Sequence, residues 1–227
     1  MITEPSPRRI GLRREYDASS RLKTMPTPDS LHLTPWVEAL AKAREDGARS
    51  GVEAACKQLL DLLADFYDVP PPDLRVFGPR PHRTREGVLA YELFGDYEPK
   101  SAKIRLWTRT AINKQWTTSG VLLSTLCHEF VHHLDVARLG FSRSYHTVGF
   151  FERTHTLYQA ATSQPHYPLA WHPADADGSR KINWPETRRR KGGTQAGASR
   201  RGAVGAIESS QLAPGPVVRN STDRKSP

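Results

Sequence analysis

The chain has only two cysteines, Cys56 and Cys127, among its 227 residues. Two cysteines cannot build the disulfide framework of a small secreted domain, and no C-x-x-C pair is present to form a zinc ribbon. We therefore expect a protein of a reducing compartment. Cys127 is expected to pack in the core as a small apolar side chain.

Long hydrophobic runs are also missing. No stretch of 18 apolar residues occurs, and no apolar signal-peptide segment follows the start. The sequence thus predicts a cytoplasmic protein without contact to a membrane. Aromatic residues make up only 8% of the chain, which is little for folding over the full length. One domain with disordered ends is the expected organisation.

The net charge of +9 is distributed unevenly. Residues 178–227 contain eleven Lys and Arg against three Asp and Glu, whereas residues 31–177 contain sixteen against seventeen. We expect a disordered arm at residues 1–30, a folded domain at 31–177 and a basic disordered tail at 178–227. The tail includes the block Arg188–Lys191, whose charge can attract nucleic-acid phosphates through counterion release.

The pattern of apolar residues predicts an α+β fold. Helical spacing follows Thr34-Pro35, and a second helical run extends from Val52 to Tyr67, before Pro70. Three strand-like runs come next, at residues 74–77, 88–94 and 103–107, separated by a polar loop and a turn region. The simplest arrangement is a small antiparallel three-stranded sheet packed on helices.

The most informative segment runs from Ser119 to Leu139 and carries His128, Glu129 and His132 in the order H-E-x-x-H. Its composition is typical of a helix buried in a core, Thr117, Thr118 or Ser119 can cap its start, and Gly140 follows its end. Residues four apart nearly overlay on one helical face, so the two imidazoles can point at one zinc ion. Glu129 projects beside them, where it can take a proton from a metal-activated water. The alternative is a core helix whose histidines have polar partners in the protein.

A catalytic zinc site usually has three protein ligands, so a third ligand is needed. His146 lies 14 residues after His132, and Glu152 lies 20 residues after it. The two are six residues apart and would point to different sides of a helix beginning at His146. Phe150, four residues after His146, would share its face and pack on the first helix. We predict His146 as the third ligand and keep Glu152 as the alternative.

The H-E-x-x-H helix, a short connection and then H-x-x-x-F resemble the SprT-like zincin metallopeptidases. The resemblance covers about residues 74–161. It implies a zincin-like fold with Zn²⁺ held by His128, His132 and His146. The glycine that often follows the third histidine is Thr147 here, and the zinc ribbon of many relatives is missing. A related pattern, that of the gluzincins, would use Glu152.

Asp135 follows His132 by three residues and therefore lies on the same side of the helix. One interpretation is a carboxylate that orients an imidazole through its far nitrogen. The other is an aspartate on the helix surface. By resemblance, the strand at Lys103–Thr108 would lie at the sheet edge and pair with an extended substrate.

These features predict a zinc-dependent metallopeptidase that hydrolyses peptide bonds, with Glu129 as general base. Its partners would be protein or peptide substrates. Some members of the family cleave proteins on DNA, which extends the expectation to nucleic-acid-associated proteins. The alternative is a non-catalytic zinc-containing module that docks on nucleic acid through the basic tail.

Overall fold

A computed structural model of the chain describes residues 1–86 and 88–198, with side chains as far as residue 192. This part forms a mixed α+β fold of six helices and five strands. The helices are α1 (Ile10–Arg21), α2 (Ser30–Glu45), α3 (Arg49–Phe66), α4 (Ser119–Ala137), α5 (Val148–Ala161) and α6 (Trp184–Ala198). The strands are β1 (Asp73–Pro79), β2 (His82–Arg85), β3 (Val88–Glu92), β4 (Gly95–Glu98) and β5 (Lys103–Arg109).

The main sheet has three strands in the order β1-β5-β4. β1 runs parallel to β5 and β4 runs antiparallel to it, so the prediction of a fully antiparallel sheet is wrong. The run at residues 88–94 does not supply the third strand. Its strand β3 pairs with β2 in a separate hairpin, and β4 comes from the expected turn region. The short sequence of β4 has no apolar alternation, and its pairing partner fixes its conformation.

One face of the sheet carries the core. Leu74 and Val76 of β1 and Ile104 and Leu106 of β5 are buried there, as the alternation in the sequence predicts for β5. α3 packs against β1, and α4 packs against both β4 and β5. The buried helix α4 therefore lies between the sheet and the other helices, which fixes its position.

The predicted helix start at Thr34-Pro35 is wrong. α2 begins five residues earlier, at Ser30, where the Asp29 side chain accepts a hydrogen bond from the Leu31 amide at 2.9 Å. Pro35 lies inside α2 as its sixth residue, where it has no N–H to donate to the Leu31 carbonyl. The second predicted helix corresponds to α3, which ends at Phe66 before the prolines.

The N-terminal segment is ordered, which corrects the expected disordered arm at residues 1–30. α1 packs on α5, and both Tyr16 and Ser19 are buried. The Tyr16 hydroxyl donates to the Glu4 carbonyl at 2.7 Å, and Ile2 forms an antiparallel bridge with Lys181. The composition suggested disorder because it does not reveal these partners, which lie far away in the sequence.

The predicted disordered tail is also wrong in its first part. Lys181 and Ile182 form bridges with other segments, and residues 184–198 form α6. The basic block Arg188–Lys191 lies on this helix. The rest of the predicted tail, residues 199–227, lies outside the described residues. Among the described helices, none is both long and apolar enough to cross a membrane.

Gly149 is the site of a testable packing constraint between α1 and α5. A Cβ atom at Gly149 would contact the Ser19 carbonyl oxygen and lie 2.6 Å from that of Leu22. We expect Gly149→Ala to lower the free energy of unfolding by about 1–3 kcal/mol, since backbone atoms must move to relieve the clash. Chemical denaturation measures this change.

The matched control is Gly11→Ala, because Gly11 lies exposed in α1 and an added Cβ would have no atom within 4 Å. We expect this change to stabilise the protein by about 0.5–1 kcal/mol through helix propensity. Equal effects of the two substitutions would contradict the close approach of α1 to α5.

Candidate metal centre

α4 holds its polar residues inside the core. Thr118 caps the helix by accepting a hydrogen bond from the Val121 amide, as the sequence predicts for this region. His128, Glu129 and His132 are all buried on this helix. Buried polar groups need partners, so their surroundings determine what they can do.

The structure brings His146 to the two histidines of α4. The Nε2 atoms of His128 and His146 are 2.9 Å apart, and Nε2 of His132 is 3.2 Å from each of them. Two nitrogen ligands of one tetrahedral zinc ion are about 3.3 Å apart, given zinc–nitrogen bonds of about 2.0–2.1 Å. The three nitrogens thus form a triangle of the size that one cation requires.

Hydrogen bonds to the far nitrogens fix the tautomers of two of these rings. His146 Nδ1 lies 2.9 Å from the Glu4 carboxylate, which only accepts, so the proton is on Nδ1. His132 Nδ1 lies 2.7 Å from the Ser144 hydroxyl, which donates to Asp135 and so accepts from His132. Both rings then present bare lone pairs at Nε2.

Two bare lone pairs 3.2 Å apart repel each other unless a cation lies between them. A proton does not resolve the conflict easily. Burial lowers the pKa of His128 and His132 well below the usual value, and the neighbouring histidines lower it further. The arrangement therefore fits a metal ion better than a set of ordinary hydrogen-bonded histidines.

Asp135 orients His132 through an intermediate residue. It is fully buried and accepts from the Ser144 hydroxyl at 2.9 Å, and this hydroxyl contacts His132. Arg153 donates to both carboxylate oxygens of Asp135, at 2.8 and 3.0 Å. Burial raises the pKa of Asp135 to about 6, although Arg153 opposes this change. The hypothesis of direct contact between Asp135 and an imidazole is thus replaced by a Ser144-mediated one.

Arg153 also connects this chain of contacts to α1. Its guanidinium donates to the Ser19 carbonyl at 3.0 Å and is fully buried. Its ion pair with Asp135 gives it a structural role behind the histidines.

Glu152, the alternative third ligand, lies away from the three histidines. Its carboxylate accepts from the Leu169 amide at 3.1 Å and from the indole Nε1 of Trp171 at 3.0 Å. It therefore fastens the irregular segment at residues 165–171 to α5. The structure therefore does not support Glu152 as the third ligand, because it is not in the group of converging ligand atoms, which contains His146 instead.

His133 is a structural residue of α4. Its side chain is buried between two partners. Its Nδ1 lies 3.1 Å from the Tyr97 hydroxyl, and its Nε2 lies 2.8 Å from the Pro70 carbonyl oxygen. It thereby joins α4 to β4 and to the segment that follows α3.

Phe150 packs against all three imidazoles. Its ring centroid lies 4.9 Å from that of His128, 4.4 Å from that of His132 and 5.0 Å from that of His146. The predicted contact of Phe150 with the first helix is therefore present. However, α5 begins at Val148, and His146 lies in the loop before its cap, Thr147. The third histidine is positioned by this loop rather than by helical spacing.

Glu129 follows His128 on α4, and its side chain lies against β4. A Cβ atom at Gly95 would lie 3.0 Å from Glu129 Oε1 and 2.6 Å from Thr125 Cγ2, so only glycine fits at this point of the strand. Burial raises the pKa of Glu129 well above the usual value, and the Asp96 carboxylate raises it further. Asp96 itself forms a two-pronged ion pair with Arg105, at 2.7 and 2.6 Å.

The strand beside α4 at the sheet edge is β4, not β5. The expectation that Lys103–Thr108 forms a free edge is wrong, because β5 lies in the centre of the sheet between β1 and β4. Within the described part of the chain, β4 pairs only with β5. Its other side is the free edge nearest to Glu129.

Sequence reasoning missed Glu4 and Ser144, which contact the far nitrogens of two histidines. Ser144 lies two residues before His146, but Glu4 is separated from it by 142 residues. No local pattern signals such a distant contact. Among the carboxylates in contact with this network, Asp135 is close to the motif in sequence, whereas Glu4 is remote from it.

Together, His128, His132 and His146 form a buried group whose ligand atoms all lie within 4.8 Å of one another and which could hold a metal ion. It is the one such group in the described residues. Comparisons with family models, curated proteins and solved structures give no match to this chain.

Gly95→Ala tests the contact between β4 and Glu129. We expect it to displace the Glu129 carboxylate, since an added methyl group would meet it at 3.0 Å. If Glu129 acts as a base, hydrolytic activity should fall by about 10²-fold, because small misplacements of a catalytic group have effects of this size. Metal content should remain unchanged, and metal analysis beside an activity assay measures both. The control is Gly78→Ala in β1, where no atom lies within 4 Å of an added Cβ.

Proposed function

We propose that this chain is a zinc-dependent metallopeptidase of the SprT-like zincin type. The observation that carries the proposal is the convergence of three Nε2 atoms within 3.2 Å beside a buried glutamate. H-E-x-x-H on α4, followed by His146 and Phe150, is the pattern on which the resemblance depends. The edge strand beside α4 is a further supporting feature.

The donor set favours zinc. Three neutral imidazoles are a common protein ligand set of catalytic zinc, which keeps its fourth position open. A structural zinc site would instead use a fourth protein ligand. Among the described residues, the cluster contains no fourth His, Cys, Asp or Glu. A zinc ion held here would supply Lewis acidity and lower the pKa of water toward neutrality.

Glu129 is the proposed proton carrier. Its carboxylate would accept a proton from the attacking water and then deliver it to the leaving amine. Glu129 follows His128 directly on α4, and Gly95 leaves room for its side chain, which supports this role. Buried surroundings strengthen its affinity for a proton, which suits a group that must both accept and donate.

The proposed substrates are extended polypeptides. β4 presents a free edge in the described structure, and its backbone groups can add a substrate strand by main-chain hydrogen bonds. Such binding is largely independent of sequence. It would lay a peptide beside Glu129, which contacts the first residue of β4.

Metal analysis and a peptidase assay of the purified protein test this proposal. We expect one zinc ion per chain and cleavage of an unfolded protein such as casein, with loss of cleavage after chelation and recovery on adding zinc. Absence of bound zinc would overturn the metal site. Stoichiometric zinc without any cleavage of protein or peptide substrates would overturn the hydrolase and favour a non-catalytic zinc module.

A further inference from the structure

The side chain and backbone of Glu4 both contact His146. Glu4 Oε1 accepts from His146 Nδ1 at 2.9 Å and from the His146 amide at 3.3 Å. In the other direction, the Glu4 amide donates to the His146 carbonyl at 2.9 Å. One residue of the N-terminal segment thus fixes both the ring and the backbone of the third histidine.

Glu4 is itself held by several contacts of residues 1–4. The Tyr16 hydroxyl donates to its carbonyl at 2.7 Å. Thr3 and Arg180 exchange two hydrogen bonds, from the Thr3 amide to the Arg180 carbonyl at 2.9 Å and from the Arg180 amide to the Thr3 hydroxyl at 2.8 Å. These contacts place the Glu4 carboxylate at the far nitrogen of His146 with little freedom.

Glu4 differs from the residue that supports His132. The far nitrogen of His132 faces the neutral hydroxyl of Ser144, whereas that of His146 faces a carboxylate. A carboxylate partner fixes the tautomer and orientation of an imidazole and increases its basicity as a ligand.

We propose that Glu4 is a positioning residue for His146 and that it couples docking of the N-terminal segment to metal binding. The proposal rests on the metal site of the proposed function. Metal held by His146 favours the docked segment, because docking orients the ring. By linkage, the docked segment must favour metal binding by the same factor. Residues 1–4 are therefore part of the metal site rather than an independent arm.

Glu4→Gln tests the positioning role. Glutamine has the same shape and keeps an accepting oxygen, so the fold should persist while the negative charge is lost. We expect the zinc Kd, measured by competition with a chelator, to rise about 10–100-fold. The absorption spectrum of the cobalt-substituted protein should also change, since the orientation of His146 changes. Glu38→Gln, an equal charge change at an exposed position of α2, should leave both unchanged.

Limited trypsin digestion tests the coupling. Arg8 and Arg9 are exposed, and cleavage beside them requires local opening of the N-terminal segment. We expect zinc to reduce the rate of this cleavage in the wild type. In Glu4→Gln the factor of this reduction should be smaller by at least about 10-fold, in proportion to the lost zinc affinity.

The outcomes separate this inference from the proposed function. If the wild type binds no zinc, the metal site itself fails. If the wild type binds zinc and Glu4→Gln binds it with the same Kd, only the role of Glu4 fails. Lower stability of metal-free Glu4→Gln with an unchanged Kd and cobalt spectrum would show a purely structural residue, and would also overturn the inference.

Discussion

Glu129→Gln is expected to reduce peptide hydrolysis by about 10²–10⁴-fold, the range that a general acid–base group contributes. Glutamine occupies the same space beside Gly95 but cannot accept the proton of the attacking water. The three histidines are untouched, so zinc content should remain at one ion per chain. Initial rates on an unfolded protein substrate, together with metal analysis of the same sample, measure both effects.

A second glutamate provides the control for this experiment. Glu152→Gln makes the same chemical change in a buried glutamate of α5, which fastens residues 165–171 instead of facing the site. We expect the activity of this variant to stay within a few-fold of the wild type. A Glu129→Gln variant with full activity would exclude Glu129 as the base, even if zinc is bound.

His146→Ala is expected to weaken zinc binding by more than about 100-fold. This is a larger loss than expected for removing a residue such as Glu4, which only hydrogen-bonds to a ligand. Two imidazoles of α4 would remain, and the removal of the third ring also frees the Glu4 carboxylate. Hydrolysis should be lost together with the metal. Zinc content after dialysis and zinc-dependent thermal stabilisation measure the loss, since a ligand stabilises the fold by an amount that depends on its Kd.

The comparison with His172→Ala controls for removal of a histidine, because His172 is exposed and lies outside the cluster. Zinc binding should be unchanged in that variant. Retention of tight stoichiometric zinc by His146→Ala would contradict the triad and require a different ligand set.

α4 was predictable because its signals are local. The apolar residues of the segment, its threonine cap and Gly140 at the end all lie within one stretch, and helical spacing alone brings His128 to His132. His146 was preferred for its relation to Phe150, which does contact all three imidazoles. The assumed helical start at His146 was wrong, since Thr147 caps α5.

The features that could not be predicted depend on distant pairing. β4 has no apolar alternation, and only its partner β5 makes it a strand. The sequence of α1 is typical of a polar arm. The helix packs in the structure through contacts such as the hydrogen bond between Ser19 and Thr147, which are 128 residues apart in sequence. In both cases the stabilising contacts join segments that are remote in sequence. Local composition and periodicity do not indicate such contacts.

The contact between Glu4 and His146 has a consequence for biosynthesis. A ribosome adds about 5–20 residues per second, so Glu4 is made roughly 7–30 s before His146, which follows it by 142 residues. Arg180, which holds Thr3, emerges later still. Residues 3 and 4 are therefore made well before their partners at positions 146 and 180. Under the proposed function, a nascent chain would bind zinc only weakly until the segments that carry His146 and Arg180 have been made and have joined residues 3 and 4.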